Sequence, residues 1–384
     1  MKRVIETKRL PIKLWLDDIE HGALKQAHDV AQFPFAQKWI AIMPDSHQGY
    51  GMPIGGVMAT KDVIVPNAVG VDIGCGMVAL QLNTSNHDLK HPEILKKILG
   101  DIRKKIPLGF NHHETSQHWE GFNRAPDLEI IQQEVESSRR QLGTLGGGNH
   151  FIEIQFGDDG HYWLMLHSGS RNIGFKTANF YHKKAIGLCQ KWKADIPNKD
   201  LSFLPMTEGG REYYLAMKWC LEFAAQSRGL MITRVLDVVK SHVMGTTLGH
   251  SVNIHHNYAD FEHHYGKNYI VHRKGATKAT LETTGIIPGS MGTNSYIVKG
   301  LGNPESFMSC SHGAGRTMSR SKAKELLSLE AEKNLMGNVV HGLRNTGDLD
   351  EAPSAYKDIN TVMKNQEDLV DILVKLTPLA SIKK

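Results

Sequence analysis

The segment SCSHGAGRTMSR, residues 309–320, sets one imidazole, His312, among glycines and arginines. Gly313 and Gly315 carry no side-chain bulk, so a phosphoryl group can come close to the backbone. Arg316 and Arg320 offer planar cationic donors to its oxygens. An imidazole nitrogen so placed can attack the α-phosphate of a nucleotide and form a phosphoramidate, dividing one difficult phosphoryl transfer into two easier ones. A glycine-rich turn around a structural histidine explains the segment about equally well, and the choice falls to the rest of the chain.

Side chains suited to metal ions recur in glycine-bearing or strand-end segments: Asp72 and Cys75 in GVDIGCG, His150 in GGGNHF, His167 in LHSGSR and His256 in NIHHNYA. Three imidazoles, a thiolate and a carboxylate suffice for two divalent ions if the sulfur bridges them; two-metal phosphoryl-transfer sites hold such ions ~3.5–4 Å apart. The pair would gather a triphosphate and activate its α-phosphate. The chain has 21 histidines, so most must be ordinary surface or hydrogen-bonded residues. His112, His113, His118 and His161 are assigned there, as is His255, which points away from the side of His256 if the segment is a strand. Asn149 and Glu153 flank His150 and can either serve a nucleotide or orient metal ligands. The loop IIPGSMGTNSY, residues 286–296, supplies the Ser290 and Ser295 hydroxyls to a nucleotide or is a plain turn. HRKGATKA, residues 272–279, can track an RNA backbone together with Arg171, although a basic run is also what a solvated face looks like.

These residues need strands and tight loops to hold them. Residues 12–32 are expected to run from a short apolar start into a helix, 39–51 from a strand into a loop, and 55–82 through several strands. Helices are expected over 88–106 and 127–141, joined by a polar, mobile loop at 107–126. The strongest helical pattern is 210–246, where Leu215, Trp219, Phe223, Met231, Val235 and Val238 mark a core-facing stripe with a bend at Gly229. Strands and loops follow over 250–312, a helix over 319–338, and a helix before the closing PLASIKK. With no repeat, linker or composition break, the expectation is one α+β domain over residues 1–384.

Composition sets wider bounds. A chain of 384 residues with 40% apolar content can bury a sizeable core, and its formal net charge of +5 suits a polyanionic partner without requiring one. Cys75, Cys189, Cys220 and Cys310 form no CxxC pair, which argues against a disulfide framework or zinc ribbon and for a reducing cytoplasm. Cys189 and Cys220 lie in helical contexts and are expected to be buried and inert. The first 22 residues lack the apolar run of a signal peptide, and no run reaches membrane-spanning length.

Taken in order, the blocks DSHQGYGMPIGG, GVDIGCG, GGGNHFIE, LHSGSR, HHNYA, RKGATKA, IPGSMGT, SHGAGRTMSR and EAPSAYKD resemble the RtcB family of RNA ligases over about residues 43–358. The resemblance implies an α+β fold of mixed and antiparallel sheets with peripheral helices and a central dinuclear metal cleft. It also implies GTP- and Mn²⁺-dependent joining of an RNA 3′-phosphate or 2′,3′-cyclic phosphate to a 5′-hydroxyl, in RNA repair or tRNA splicing. Carried over by position, it makes His312 the guanylylated residue and gives two Mn²⁺ ions to Asp72, Cys75, His150, His167 and His256. Asn149, Glu153, Ser290, Ser295, Tyr356 and Lys383 would contact the guanylate, Arg171 and Arg316 would bind phosphate, and Asp45 would support the site. RNA and GTP are the implied partners, with an archease-type activating protein as a further one. Two departures stand out: Gly74 replaces the Asn of many members, and the chain ends IleLysLys instead of ValLysGly, so Lys383 and Lys384 compete for the guanine. The thiolate and imidazoles by themselves suit zinc as readily as manganese. Two readings compete with ligation: a dinuclear metal phosphoesterase opening cyclic phosphates with His312 as general acid, and an RNA-binding protein without turnover.

Overall fold

The computed structural model describes residues 1–84 and 88–384. Its strands are β1 (Arg3–Ile5), β2 (Ile12–Leu14), β3 (Ala36–Tyr50), β4 (Met52–Thr60), β5 (Val63–Ile64), β6 (Gly76–Asn83), β7 (Phe151–Gly157), β8 (Tyr162–Ser168), β9 (Leu204–Pro205), β10 (Thr247–His255), β11 (Asn257–His264), β12 (Lys267–Lys274), β13 (Ala276–Lys278), β14 (Thr284–Ile287), β15 (Ser295–Gly300), β16 (Ser309–Ser311) and β17 (Val370–Ile382). The helices are α1 (His21–Gln32), α2 (Pro66–Val69), α3 (Pro92–Lys105), α4 (Glu129–Arg139), α5 (Arg171–Lys191), α6 (Arg211–His242), α7 (Arg320–Leu326), α8 (Leu329–Leu335) and α9 (Ile359–Lys364). One sheet runs β1-β2-β3-β4-β12-β11 and a second runs β10-β6-β8-β7-β17-β15-β14, while β13 pairs with β16 and β5 with β9. Only the β2–β3 pairing is parallel among the described strands, which is the mixed α and β architecture expected.

Helices cover the second sheet where apolar periodicity allows. In α3, Leu95, Ile98, Leu99 and Ile102 recur at helical spacing and are buried, Pro92 opens the first turn, and Arg103, Lys104 and Lys105 meet the negative end of the helix dipole. This face joins Met231, Val235 and Val239 of α6 over Val78, Leu164 and Leu166 of the sheet. No helix among the described residues is long and apolar enough to cross a membrane.

Five expectations change. The strand expected to yield to a loop within 39–51 continues to Tyr50, but its pairing with β4 jumps from Ile42↔Gly56 to His47↔Ile54. Met43, Pro44, Asp45 and Ser46 therefore bulge opposite Gly55, which aims Asp45 off the sheet. The 107–126 connection is anchored: Trp119 and Phe122 pack with Trp219 and Phe223 of α6, and His113 Nε2 bonds the Gly143 carbonyl at 3.2 Å. Helix α6 runs through Gly229 as one element, and Leu215 is 56% exposed while its neighbours Tyr213, Ala216 and Met217 face the core. The 319–338 helix is split, because Leu327 and Ser328 are extended and Ser328 starts α8 as its N-cap. PLASI belongs to β17, whose pairing with β7 shifts at Pro378 and Ala380, where proline has no N–H to give.

Candidate functional site

Register, not proximity in sequence, assembles the donor cluster. Strands β10, β6, β8 and β7 are neighbours, with His255 opposite Gly76, Gly76 opposite Ser168, and His167 opposite both Met77 and Phe151. His256, Cys75, His167 and His150 thus leave four adjacent strands at the same end. Cys75 Sγ lies 3.1 Å from His167 Nε2 and 3.4 Å from His150 Nε2. His167 Nε2 is 3.3 Å from His256 Nε2, and His150 Nε2 is 3.1 Å from Asp72 Oδ2. The sulfur therefore stands between an Asp72–His150 side and a His167–His256 side.

Protonation in this cluster follows from its partners. His167 Nδ1 donates to the Asn149 carbonyl at 3.0 Å, which leaves its Nε2 as a lone pair facing sulfur and a second imidazole. Burial, with neighbouring imidazole charge, pushes His167 and His256 well below the ordinary histidine value, so both are neutral at pH 7. The Nδ1 atoms of His150 and His256 are buried without a partner. Burial and the Asp72 charge raise the Cys75 thiol well above its usual range, while Asp72, which burial alone would raise, is held low by its bond to His150. Convergent lone pairs with too few protons to join them are what a soft or borderline cation would complete, and the residues fit one.

Arg228, on α6, braces this cluster from behind. It is fully buried; its Nη1 donates to the carbonyls of Gly74 and Ser168 at 2.9 Å each, and its Nη2 meets His255 Nδ1 at 3.0 Å. Burial lowers its guanidinium to about 10, still charged at neutral pH. One cation thus ties the Asp72–Cys75 loop to the end of β8, and His255 serves this brace, not the donor cluster. Gly74 itself has φ +71°, a left-handed position that glycine or asparagine adopts most readily.

His312 follows β16 of the small β13–β16 pair and meets Asp45, which the bulge of β3 brings from the first sheet. Its Nδ1 lies 2.6 Å from Oδ2 of Asp45, which also accepts the backbone amides of His312 and Gly313 at 3.1 and 3.3 Å. Asp45 is fully buried; burial would raise its carboxyl, but His312, then His47 and Lys357, hold it below the ordinary value. A carboxylate on Nδ1 fixes the proton there and leaves Nε2 as the nucleophilic nitrogen. The His312 ring centroid is 4.7 Å from that of His256. Gly315 locks this loop to the bulge of β3: its φ is +75°, and a Cβ there would fall 2.0 Å from the Asp45 carbonyl oxygen.

Donors and His312 share a cleft of about 770 Å³, which Asn149, Glu153, Arg316, Arg320, Tyr356 and Lys383 also line. Glu351 organises its far wall: its carboxylate accepts Arg316 Nη1 at 3.2 Å, Arg320 Nε at 2.8 Å and the Tyr356 hydroxyl, with Lys383 Nζ at 3.5 Å. Burial would raise it, yet Lys383, Arg316 and Arg320 hold it at about 2. Glu153, by contrast, is lifted to about 7 by burial, which Lys383 and its bonds from Ser381 and Gln155 only partly offset. Lys383 points into the cleft, whereas Lys384 lays its ammonium 4.3 Å from the Phe110 ring outside it.

Besides Asp45, which meets the cavity only through His312, three expected site residues stand back from it. Ser295 Oγ accepts the amides of Gln155 and Gly289, each at 3.2 Å, and Ser290 Oγ is 3.0 Å from Thr293 Oγ1, so both stiffen the 286–296 loop. Arg171 donates to Thr144 Oγ1 and the Gly109 carbonyl. The donors of Arg316 are engaged by Met318, Asp350 and Glu351. Sequence reading missed Glu351, Arg228 and Asn257 and took Lys274 as part of a basic run tracking RNA or facing solvent, whereas His272, Arg273 and Lys274 are buried. Asn257 links the Asp72 carbonyl to the Gly275 amide, at 3.0 and 2.8 Å. Lys274 lines the cleft with its ammonium on the Tyr50 and Asn67 carbonyls, and burial lowers it to about 7. Glu351 and Asn257 lie within EAPSAYKD and HHNYA; Arg228 was signalled only by a charge beside an apolar stripe.

The family model described as tRNA-splicing ligase RtcB matches residues 26–128 and 112–384. The chain is 39% identical to the RNA-splicing ligase RtcB of Escherichia coli K12, over 99% of each chain. It is 32% identical to the tRNA-splicing ligase RtcB of Nanoarchaeum equitans, over 97% of this chain and 95% of that one. With whole-chain coverage and identity above 30%, the chain belongs to the RtcB family.

Proposed function

We propose that the protein is a GTP- and manganese-dependent RNA ligase that joins a 3′-phosphate or 2′,3′-cyclic phosphate end to a 5′-hydroxyl end. The observation that carries this is the buried Asp45 on His312 Nδ1, which presents Nε2 to the same cleft as the donor cluster. In the first step His312 Nε2 attacks the α-phosphorus of GTP, a P–N bond forms, the α–β bridging P–O bond breaks, and pyrophosphate leaves. Asp45 holds the Nδ1 proton and stabilises the imidazolium character that develops. The guanylyl group then passes to the RNA 3′-phosphate, freeing His312, and the 5′-hydroxyl attacks that activated phosphate and expels GMP. Cyclic ends are first opened to the 3′-phosphate by water.

Two divalent ions would be held by Asp72 and His150 on one side and His167 and His256 on the other, with Cys75 common to both. When bound they supply Lewis-acid stabilisation of charge on phosphate oxygens. Manganese follows from the family resemblance, since the donor chemistry by itself also suits zinc. In this reading Glu153 and Lys383, which line the cleft, read the base, and Tyr356 holds the nucleotide from the Glu351 wall.

The test is incubation with α-labelled GTP and Mn²⁺, then denaturing electrophoresis and acid treatment. An acid-labile label on the parent and none on His312→Ala is expected. No label with any metal tried, together with opening of cyclic-phosphate RNA, would replace the ligase with the phosphoesterase.

A further inference from the structure

We propose that Phe110 is a base-stacking platform for the single-stranded RNA next to its broken end, reached from the cleft along a strip of cations over Gly146, Gly147 and Gly148. This rests on the ligase reading and adds a binding surface to it. Phe110 is 87% exposed, the most of the large hydrophobic side chains among the described residues. A single exposed phenylalanine is ordinary; the surroundings of this one are not.

Each of three consecutive glycines lies beneath a different cation. A Cβ at Gly146 would stand 2.4 Å from Arg171 Nη1, at Gly147 3.3 Å from Lys384 Cδ, and at Gly148 2.7 Å from Arg320 Nη2. Side chains at Gly146 and Gly148 would displace Arg171 and Arg320, and one at Gly147 would crowd Lys384. Gly147 and Arg320 line the cleft, so the strip begins there. Its other end is the Phe110 loop, fixed by Gly109 N–H to the Gly146 carbonyl at 2.9 Å and by Arg171 to the Gly109 carbonyl. Lys384 then leaves the strip to hold its ammonium over the Phe110 ring. Arg320 and Lys384 are both open to water.

Cations that follow a phosphate backbone and end at an exposed ring are the two components of sequence-tolerant single-strand binding. An ammonium on an exposed ring contributes less than a stacked base does, so a base can share or replace that contact. Phe110 does not line the cleft, and because every base has a π-face, stacking on its ring is sequence-tolerant.

The experiment measures anisotropy of a 3′-phosphorylated RNA decamer on the full chain with Mn²⁺ and without GTP. Phe110→Ala is expected to weaken binding roughly tenfold, within the range of about 5- to 150-fold for one stacked base, and Phe110→Trp to restore it. Abasic substitution at one position of the decamer should weaken the parent similarly and leave Phe110→Ala unaffected. Lys384→Ala should flatten the log–log salt dependence by about 0.7, one phosphate's share for single strands. Binding by Phe110→Ala within twofold of the parent, or equal abasic losses in both proteins, would overturn the platform. Labelling of His312 by GTP separates the two readings. Unchanged labelling in Phe110→Ala with weaker RNA binding supports both, whereas an unlabelled parent with intact Phe110-dependent binding removes the ligase and leaves the platform.

Discussion

Asp45 and His312 form the contact on which the proposed attack by His312 depends, and its strength lies in the count of bonds to one oxygen. Oδ2 accepts one ring N–H and two backbone amides, so the carboxylate cannot rotate without breaking three bonds. Asp45→Asn offers a neutral amide that no longer stabilises the imidazolium and can present N–H toward Nδ1. The initial rate of His312 guanylylation is expected to fall roughly 10²- to 10⁴-fold while metal binding is retained. A rate within threefold of the parent would show that the pair is structural. At this scale the sequence exposed the donors because Asp72, Cys75, His150 and His167 sit beside glycines, and His256 at the end of an apolar-polar strand pattern. Glu351 and Arg228 were hidden for a physical reason: their importance lies in what they touch across the fold, Glu351 in gathering two arginines and a lysine, Arg228 in bridging two carbonyls 94 residues apart in sequence.

Helix α6 does more than fill the core. Its stripe packs the second sheet through Met231 and Val235, and one turn earlier Arg228 reaches through to the loop carrying Cys75 and the end of the strand carrying His167. Arg228→Leu keeps most of the volume but leaves two carbonyls buried without donors. A loss of about 2–4 kcal/mol in urea unfolding is expected, with roughly 10- to 100-fold weaker metal binding in calorimetric titration. Unfolding like the parent would assign the brace no role. Elements with one clean periodicity, such as α3, were legible from sequence alone. Those decided by tertiary context were not: β17 contains a proline and alternates weakly with exposed Ile372 and Leu373, and the break between α7 and α8 falls in a run whose composition favours helix.

The whole molecule gathers the cleft from distant elements, with residues from 72 to 256 at one end of the second sheet, Asp45 from the first sheet and His312 from the end of the β13–β16 pair. A cation that binds this arrangement and not the unfolded chain must stabilise it; at 100 times its dissociation constant the gain is about 2.7 kcal/mol. Mn²⁺ should therefore raise Tm, EDTA should reverse the rise, and Cys75→Ala, lacking the donor between the two sides, should lose most of the Mn²⁺-dependent part. A parent whose Tm is indifferent to Mn²⁺ at millimolar concentration would argue against a resident metal pair. The order of strands carries one more consequence, for synthesis. β17 sits between β7 and β15, so Leu376 closes on Gly157 long after β7 has left the ribosome. Until residues 370–382 emerge, β7 keeps a bare edge next to His150 and Glu153, open to pairing with another nascent strand. The chain therefore spends its translation with the donor-bearing sheet unfinished, and a stalled ribosome yields an adhesive intermediate before it yields a ligase.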